Sequence, residues 1–247
     1  MNLKTQLNVI HIFNHCVLVW FLFSQYSYWY MLIPFIMYNV YGGIGVSAGL
    51  HRYFTHKSYN TTPFWEKVML FISVPATVGT PITWVAAHRI HHATSDEVND
   101  HQSPHAIGFF NSYIHNWNNL KISGSVVSDL TKNNTIKTIH KHYIKFLLLY
   151  IIVLYSIDPL VGMLFYSIPS MFLFHSTGMV DSICHKYGYR NFETKDKSTN
   201  NTIVALLSAG EGLHNNHHKF PNMAKLSIFK NEFDWGWYFI RMIQRQK

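Results

Sequence analysis

Charge is what this chain has least of. Only 13% of its 247 residues are Asp, Glu, Lys or Arg, against about 25% in a soluble globular domain. Hydrophobic residues reach 48% and aromatics 16%, so the shortage points to lipid. Cysteine is nearly absent: Cys16 sits in an apolar run and Cys184 beside His185, which implies no disulfide framework and leaves both as small buried residues. There is no C-x-x-C-H haem attachment site and no H-E-x-x-H hydrolase signature, which removes two common chemistries. Acidic residues are outnumbered 12 to 20, for a net charge of +8. The basic residues are scattered among apolar segments with no nucleic-acid-binding motif, so anionic headgroups are the better partner and no nucleic acid is expected. No linker, repeat or low-complexity segment stands out, and residues 1–247 read as one domain.

Four apolar runs approach the roughly 20 residues needed to cross hydrocarbon: Leu7–Phe23, Trp29–Leu50, the shorter Ile144–Ile157, and Pro159–Val180. Asp158-Pro159 divides the last two, as expected of antiparallel spans joined by a minimal turn. The first run lacks a small-residue cleavage site and reads as a retained span. Phe64–Ala87 is a fifth candidate, but Glu66, Lys67, Pro75 and Pro81 interrupt it. With two hairpin pairs, the connections near Ser24–Tyr28 and at Asp158 hold no Lys or Arg, and every basic residue falls in the N-terminal tail, 51–145 or 181–247. The positive-inside rule makes that side cytoplasmic, with both termini. If Phe64–Ala87 also crossed, the first two histidine clusters would lie on opposite faces, so it reads as an interfacial or re-entrant helix. Asn231–Gln246 mixes Phe233, Trp235, Trp237, Ile240 and Ile243 with Arg241 and Arg245, as an amphipathic helix on the membrane surface would. In the second span Gly42, Gly43, Gly45 and Ala48 precede His51; they allow close helix packing or room for an alkyl chain.

Histidine is plentiful, at 17. His88-Arg89-Ile90-His91-His92 and His214-Asn215-Asn216-His217-His218 share the pattern H-x-x-H-H, and offsets of three and four return to nearly one helical face. Each stretch is expected to aim three imidazoles at one point. His51 and His56 have a gap that no single helical face accommodates, so they are expected to straddle a helix end. Eight imidazoles exceed the three or four ligands of one site and suggest two metals. On an otherwise oily protein the substrate should be oily too. Cleaving an unactivated C–H bond needs an oxidant made from dioxygen, for which iron is the usual metal and zinc is useless.

The order HRYFTH, TWVAAHRIHH and GEGLHNNHHKFP resembles the membrane fatty acyl desaturases, most closely the acyl-CoA delta-9 branch and its bacterial relatives, from about Gly42 to the C-terminus. The resemblance implies an all-α integral membrane fold: four transmembrane helices bearing a cytosolic helical cap, from 51–143 and 181–247, that holds two irons. It implies a ninth ligand, His185, and the set His51, His56, His88, His91, His92, His185, His214, His217 and His218. It places Trp84 and Thr177 in the substrate tunnel, and Gly43 is added as a site of room for the acyl chain. Three departures stand out. Relatives carry Asn where this chain has Asp181, which could ligate iron, hold its water or merely orient His185. The Asp-Pro-His-Ser-Pro after the second box becomes Asp100-His101-Gln102-Ser103-Pro104. Val78 replaces a Gln near the bend of the acyl chain. Glu211 reads either as a partner of a ligand imidazole or as a helix-cap group.

The implied reaction inserts a cis double bond into a saturated acyl chain, an acyl-CoA above all, using dioxygen and two electrons from a separate cytochrome b5 or ferredoxin. The host membrane, endoplasmic reticulum or bacterial, stays open. A hydroxylase with the same histidines would yield an alcohol instead, and a non-catalytic metal carrier would need polar residues along the spans, where only His11, Asn14, His15 and Asn39 qualify. The remaining histidines, His11, His15, His105, His115, His140, His142 and His175, carry no metal role in this reading.

Overall fold

The computed structural model describes residues 2–115 and 122–245. Residues 116–121 of the basic middle segment, and Gln246 at the end of the expected surface helix, lie outside the described residues. Among those described every regular element is helical, and extended backbone meets only in two isolated bridges, Tyr189 with Asn200 and Asn200 with Leu213.

Helix α1 (Leu3–Phe23) starts where the Asn2 side chain accepts the Thr5 N–H at 2.9 Å. Helix α2 runs continuously over Tyr28–Thr55. Helices α3 (Pro63–Ile72) and α4 (Pro81–Thr94) each begin with threonine followed by proline; the hydroxyl caps a free N–H, and proline has none to lose at the first position. Two short helices follow, α5 (Pro104–Ile107) and α6 (Phe109–Tyr113). Helix α7 (Asn134–Ile157) is kinked where His142 leaves helical backbone angles, so its polar first turns, with Lys137 and Lys141, are set off from its apolar remainder. Asp158 alone turns the chain into α8 (Pro159–Ile183), capping Leu160 N at 2.7 Å. Helices α9 (Thr202–Leu207), α10 (His214–Lys219) and α11 (Trp235–Ile243) complete the chain.

Three of these, α1, α2 and α8, are long and apolar enough to cross a membrane. Each extends past its expected run: α1 begins at Leu3 rather than Leu7, α2 continues to Thr55 and α8 to Ile183. Phe64–Ala87 is not one helix. It is split between α3 and α4 around Thr77 and Gly79, both at positive φ, because Pro81 cannot continue a helix arriving from Ile72.

Helix α2 is the spine, with α3, α4, α8 and α11 against it. Gly45 explains the closeness: a Cβ there would sit 2.9 Å from the Ser73 backbone, so α3 could not approach a larger residue. The core gathers Tyr41, Leu50, Leu70, Ile139, Leu147 and Tyr166, each buried side chain of this size contributing about 1.5–3 kcal/mol. Helix α11 departs from the expected membrane-surface helix. Its Ile240 and Ile243 are buried with Ala48, Tyr59 and Met69, so much of its apolar face closes the protein's own interior, leaving Tyr238 and Met242 exposed.

Candidate metal centre

The histidines meet where α2, α4 and α10 end or begin. From Val40 to Thr55, α2 is wound as a π-helix, whose hydrogen bonds join residues five apart, as His56 N–H to His51 O at 3.2 Å. In an α-helix an offset of five turns a side chain about 140° away; the wider π turn returns it to the same face. The rings of His51 and His56 therefore lie 4.9 Å apart, centroid to centroid. His56 does cap the helix end, but one helical face accommodates the pair after all.

The two H-x-x-H-H stretches do not each aim at one point. Nine imidazoles form two groups, each with its ligand atoms within 4.8 Å: His51, His56, His88, His92 and His217, and His91, His185, His214 and His218. Helical geometry explains the split. At about 100° per residue, offsets of four share a face, whereas the residue at offset three stands about 100° from the one after it. Helix α4 thus gives His88 and His92 to the first group and His91 to the second, and α10 gives His217 to the first and His214 and His218 to the second.

Six residues are too few for α10 to hold itself together. Asn215 and Asn216, buried on its other side, anchor it: Asn215 Oδ1 accepts the N–H groups of Asn191 and Phe192 at 2.9 Å, and Asn216 Nδ2 donates to Leu226 O and Glu232. Sequence reasoning passed over both.

Carboxylates stand behind the imidazoles. His91, His185 and His218 turn Nδ1 to Asp100, Asp96 and Asp196 at 2.9, 3.0 and 2.9 Å, and His51 Nδ1 lies 2.5 Å from Glu211. The cap reading of Glu211 falls away, since no side chain caps α10. Asp96 and Asp196 were not singled out in the sequence; the one available signal was that Asp96 and Asp100 directly follow the second box. The carboxylate on His185 is Asp96, not Asp181.

This donor set fits a metal. A neutral imidazole has one N–H, and where Nδ1 donates to a carboxylate, Nε2 is a bare lone pair. Yet the Nε2 atoms of His91 and His218 are 3.3 Å apart, those of His218 and His214 3.0 Å, and those of His214 and His185 3.0 Å. With all four rings neutral only His214 has a proton to offer, so the converging lone pairs suit a cation between them. Burial, reinforced by neighbouring imidazoles, pushes His88, His92, His214, His217 and His218 well below the ordinary imidazole range, and His56 to about 2, which keeps them neutral and able to ligate. Burial also opposes charge on His91, but Asp100 outweighs it and raises the ring's pKa. Glu211 would be raised by burial; His51 and Arg52 hold it at about 2.

A cavity of about 530 Å³ opens onto both groups, reaching His51, His88 and His214, and Gly43, Trp84 and Thr177 all line it. The space above Gly43 is not free for an alkyl chain, however. A Cβ there would fall 2.0 Å from the Trp235 ring, so the glycine admits Trp235, which itself lines the cavity. Val78, Gln102 and Asp181 also line it. Gln102 is buried and donates to Asp181 at 3.3 Å, with His115 Nδ1 at the same distance from that carboxylate. Asp181 belongs to neither histidine group. Nor do the other histidines: His15 and His175 pair at 3.0 Å, His105 meets His185 O at 2.7 Å, and His140 meets Thr80 at 2.7 Å.

Three helices long and apolar enough to cross a membrane, with two adjoining polyhistidine groups that could hold metal ions beside a cavity, give the layout of a membrane metalloprotein. The chain belongs to the fatty acid desaturase family, a family of oxidoreductases, whose model matches residues 27–226. It is 31% identical over 243 residues to an acyl-CoA 5-desaturase of Anemone leveillei, covering 93% of this chain and 72% of the relative. To an sn-1 stearoyl-lipid 9-desaturase of Anabaena variabilis it is 32% identical over 232 residues, covering 91% and 84%. An icosanoyl-CoA 5-desaturase of Limnanthes douglasii shares 35% over 237 residues, covering 91% and 64%.

Proposed function

We propose that this chain is a single-domain diiron desaturase that places a cis double bond in a saturated fatty acyl chain, of the delta-9 type and with acyl-CoA as carrier. The observation that carries it is the cavity of about 530 Å³ running against both histidine groups, a volume within the range of small-molecule sites. In this reading the nine histidines are the ligands, five on one iron and four on the other, and Asp181 holds a metal-bound water or adds a ligand from the cavity wall. Iron so bound supplies, with dioxygen and two external electrons, the oxidising power to take hydrogen from two adjacent methylenes.

The chain's own residues do the positioning. Trp84, stacked on His88 at 5.1 Å, and Thr177 bound the acyl chain beside the first group, and Trp235 narrows the wall opposite Gly43. Each buried methylene contributes about 0.8 kcal/mol of binding, so an apolar wall can fix a long chain in register and keep water from the oxidising site. Asn2, Lys4 and Asn8 at the start of α1 line the cavity too and suit the polar carrier. Helices α1, α2, α7 and α8 form four spans, with α7 crossing by its apolar part. The histidine groups and both termini face the cytoplasm, where the basic residues concentrate and an acidic electron donor, a cytochrome b5 or ferredoxin, would dock.

The test is expression in cells lacking their own desaturase, with fatty-acid profiling and dimethyl disulfide to locate the double bond. A new monounsaturated acid is expected, and none from His217→Ala. An acid gaining one oxygen atom would instead identify a hydroxylase, and product from His217→Ala would remove that ligand. Asp181→Asn should alter turnover; unchanged turnover and iron content would strip Asp181 of a role.

A further inference from the structure

The two histidine groups are backed by different amounts of charge. Three of the four imidazoles in the second group donate Nδ1 to aspartates. Among the described residues, no Lys or Arg side chain pairs with Asp96, Asp100 or Asp196. In the first group one imidazole of five has a carboxylate, Glu211, and that carboxylate also takes the Arg52 guanidinium at 3.0 Å, which it shares with Asp234. Each group also holds one imidazole whose buried Nδ1 has no partner, His217 in the first and His214 in the second.

The three aspartates are also fixed in place. Asp96 accepts the Ser103 hydroxyl at 2.5 Å and the Lys197 N–H at 2.6 Å. Its backbone sits at φ 64°, a left-handed conformation that Asp tolerates better than most residues. Asp100 accepts the N–H groups of Asp96 and Gln102, both at 2.9 Å. Asp196 accepts from Thr194 and from both the N–H and hydroxyl of Ser198. Their lone pairs are therefore aimed at the imidazoles at little further cost in ordering.

Counting ligands alone would favour the five-histidine group. A carboxylate behind an imidazole makes it a stronger donor and fixes its orientation, and losing one such partner typically lowers metal affinity by about 10–100-fold. Three such partners, none facing a Lys or Arg among the described residues, against one partner that also binds a guanidinium outweigh one additional imidazole. We infer that the two groups are unequal metal sites: the four-histidine group binds a divalent cation at least about 10-fold more tightly and fills first, with Asp96, Asp100 and Asp196 as the positioning residues responsible. This rests on the reading of the nine histidines as metal ligands.

The test is titration of Co²⁺ into the metal-free full-length protein in detergent, followed by the visible absorption of the bound ion. Two steps are expected. His214→Ala should remove the tighter step and His56→Ala the weaker. Asp100→Asn and Asp196→Asn, nearly isosteric, should weaken the tighter step by about 10–100-fold and leave the other unmoved, and Glu211→Gln should touch only the weaker. Two steps of equal affinity, loss of the tighter step in His56→Ala, or a tighter step indifferent to both aspartate changes would overturn the ordering while leaving the ligand assignment standing. Should the aspartate variants misfold, the two histidine variants still decide it. A protein that binds no Co²⁺ would bring down the ligand assignment itself.

Discussion

The hydrocarbon-facing helices and the histidine end of this protein are built on opposite rules. Along α1, Ile12, Trp20 and Phe23 are exposed, as suits residues whose solvent is lipid, where an apolar side chain gains nothing by turning inward. At the histidine end the pattern inverts: His185, Asn215, Asp100 and Arg52 are all at most 1% exposed. The lesson is that the apolar part tolerates loose packing, whereas the polar part must satisfy nearly every buried donor and acceptor or lose stability.

Arg52 gives the sharpest contrast. It donates to Asp234 at 2.9 Å, to Glu211, and to the carbonyls of Ala209 and Ala224, tying α2 to the segments flanking α10 and α11. Arg52→Ala removes the one cation shared by two buried carboxylates, and a loss of about 3–5 kcal/mol is expected, read from thermal unfolding in detergent; a drop below about 1 kcal/mol would erase the distinction between the two regions. Next comes Gly43→Leu, which forces the Trp235 ring aside. Overpacking should cost about 1–3 kcal/mol and reshape the cavity, so both the unfolding temperature and the spread of acyl chain lengths accepted should change. Unaltered chain-length preference would mean that Trp235 does not shape the cavity.

A smaller effect concerns pH. Asp129 pairs with Arg89 and Lys57 at 2.8 Å, and the Arg89 hydrogen bonds hold its carboxyl below the usual range. A depressed folded-state pKa contributes stability above the unfolded value, about 3.9, and loses it as pH falls below that toward the folded value. The unfolding-temperature gap between wild type and Asp129→Asn should be present at pH 6 and shrink below about pH 4; a gap constant with pH would discount the ion pairs. Last, Ile12→Val on the outer face of α1 should stay within about 0.5 kcal/mol, and a larger loss would show that α1 is packed rather than lipid-facing.

Much of this was legible in the chain itself because it depends on local order. Apolar runs and the Asp158-Pro159 break announced the long helices. The histidine clusters stood out by spacing, and Glu211 by its place between Gly210 and Gly212 just before the third box. What escaped were features set by partners distant in sequence. Asp196 reaches His218 across a loop, Asn215 and Asn216 look like mere spacers between histidines, and Gly43 matters because Trp235 arrives from almost the other end of the chain. The Phe64–Ala87 run, read as a single interfacial or re-entrant helix, is two, since composition does not register where positive φ at Thr77 and Gly79 turns the backbone.

Sequence alone determined that this is an apolar, helical, histidine-rich chain of the desaturase type, because periodicity, charge scarcity and motif order are properties of neighbouring residues. Only the tertiary structure decided how nine imidazoles divide into five and four, since that depends on the π winding of α2 and on which face α4 and α10 present to each other. It also decided which group is backed by more carboxylate charge. That follows from three aspartates brought in by folding, and no spacing rule encodes it.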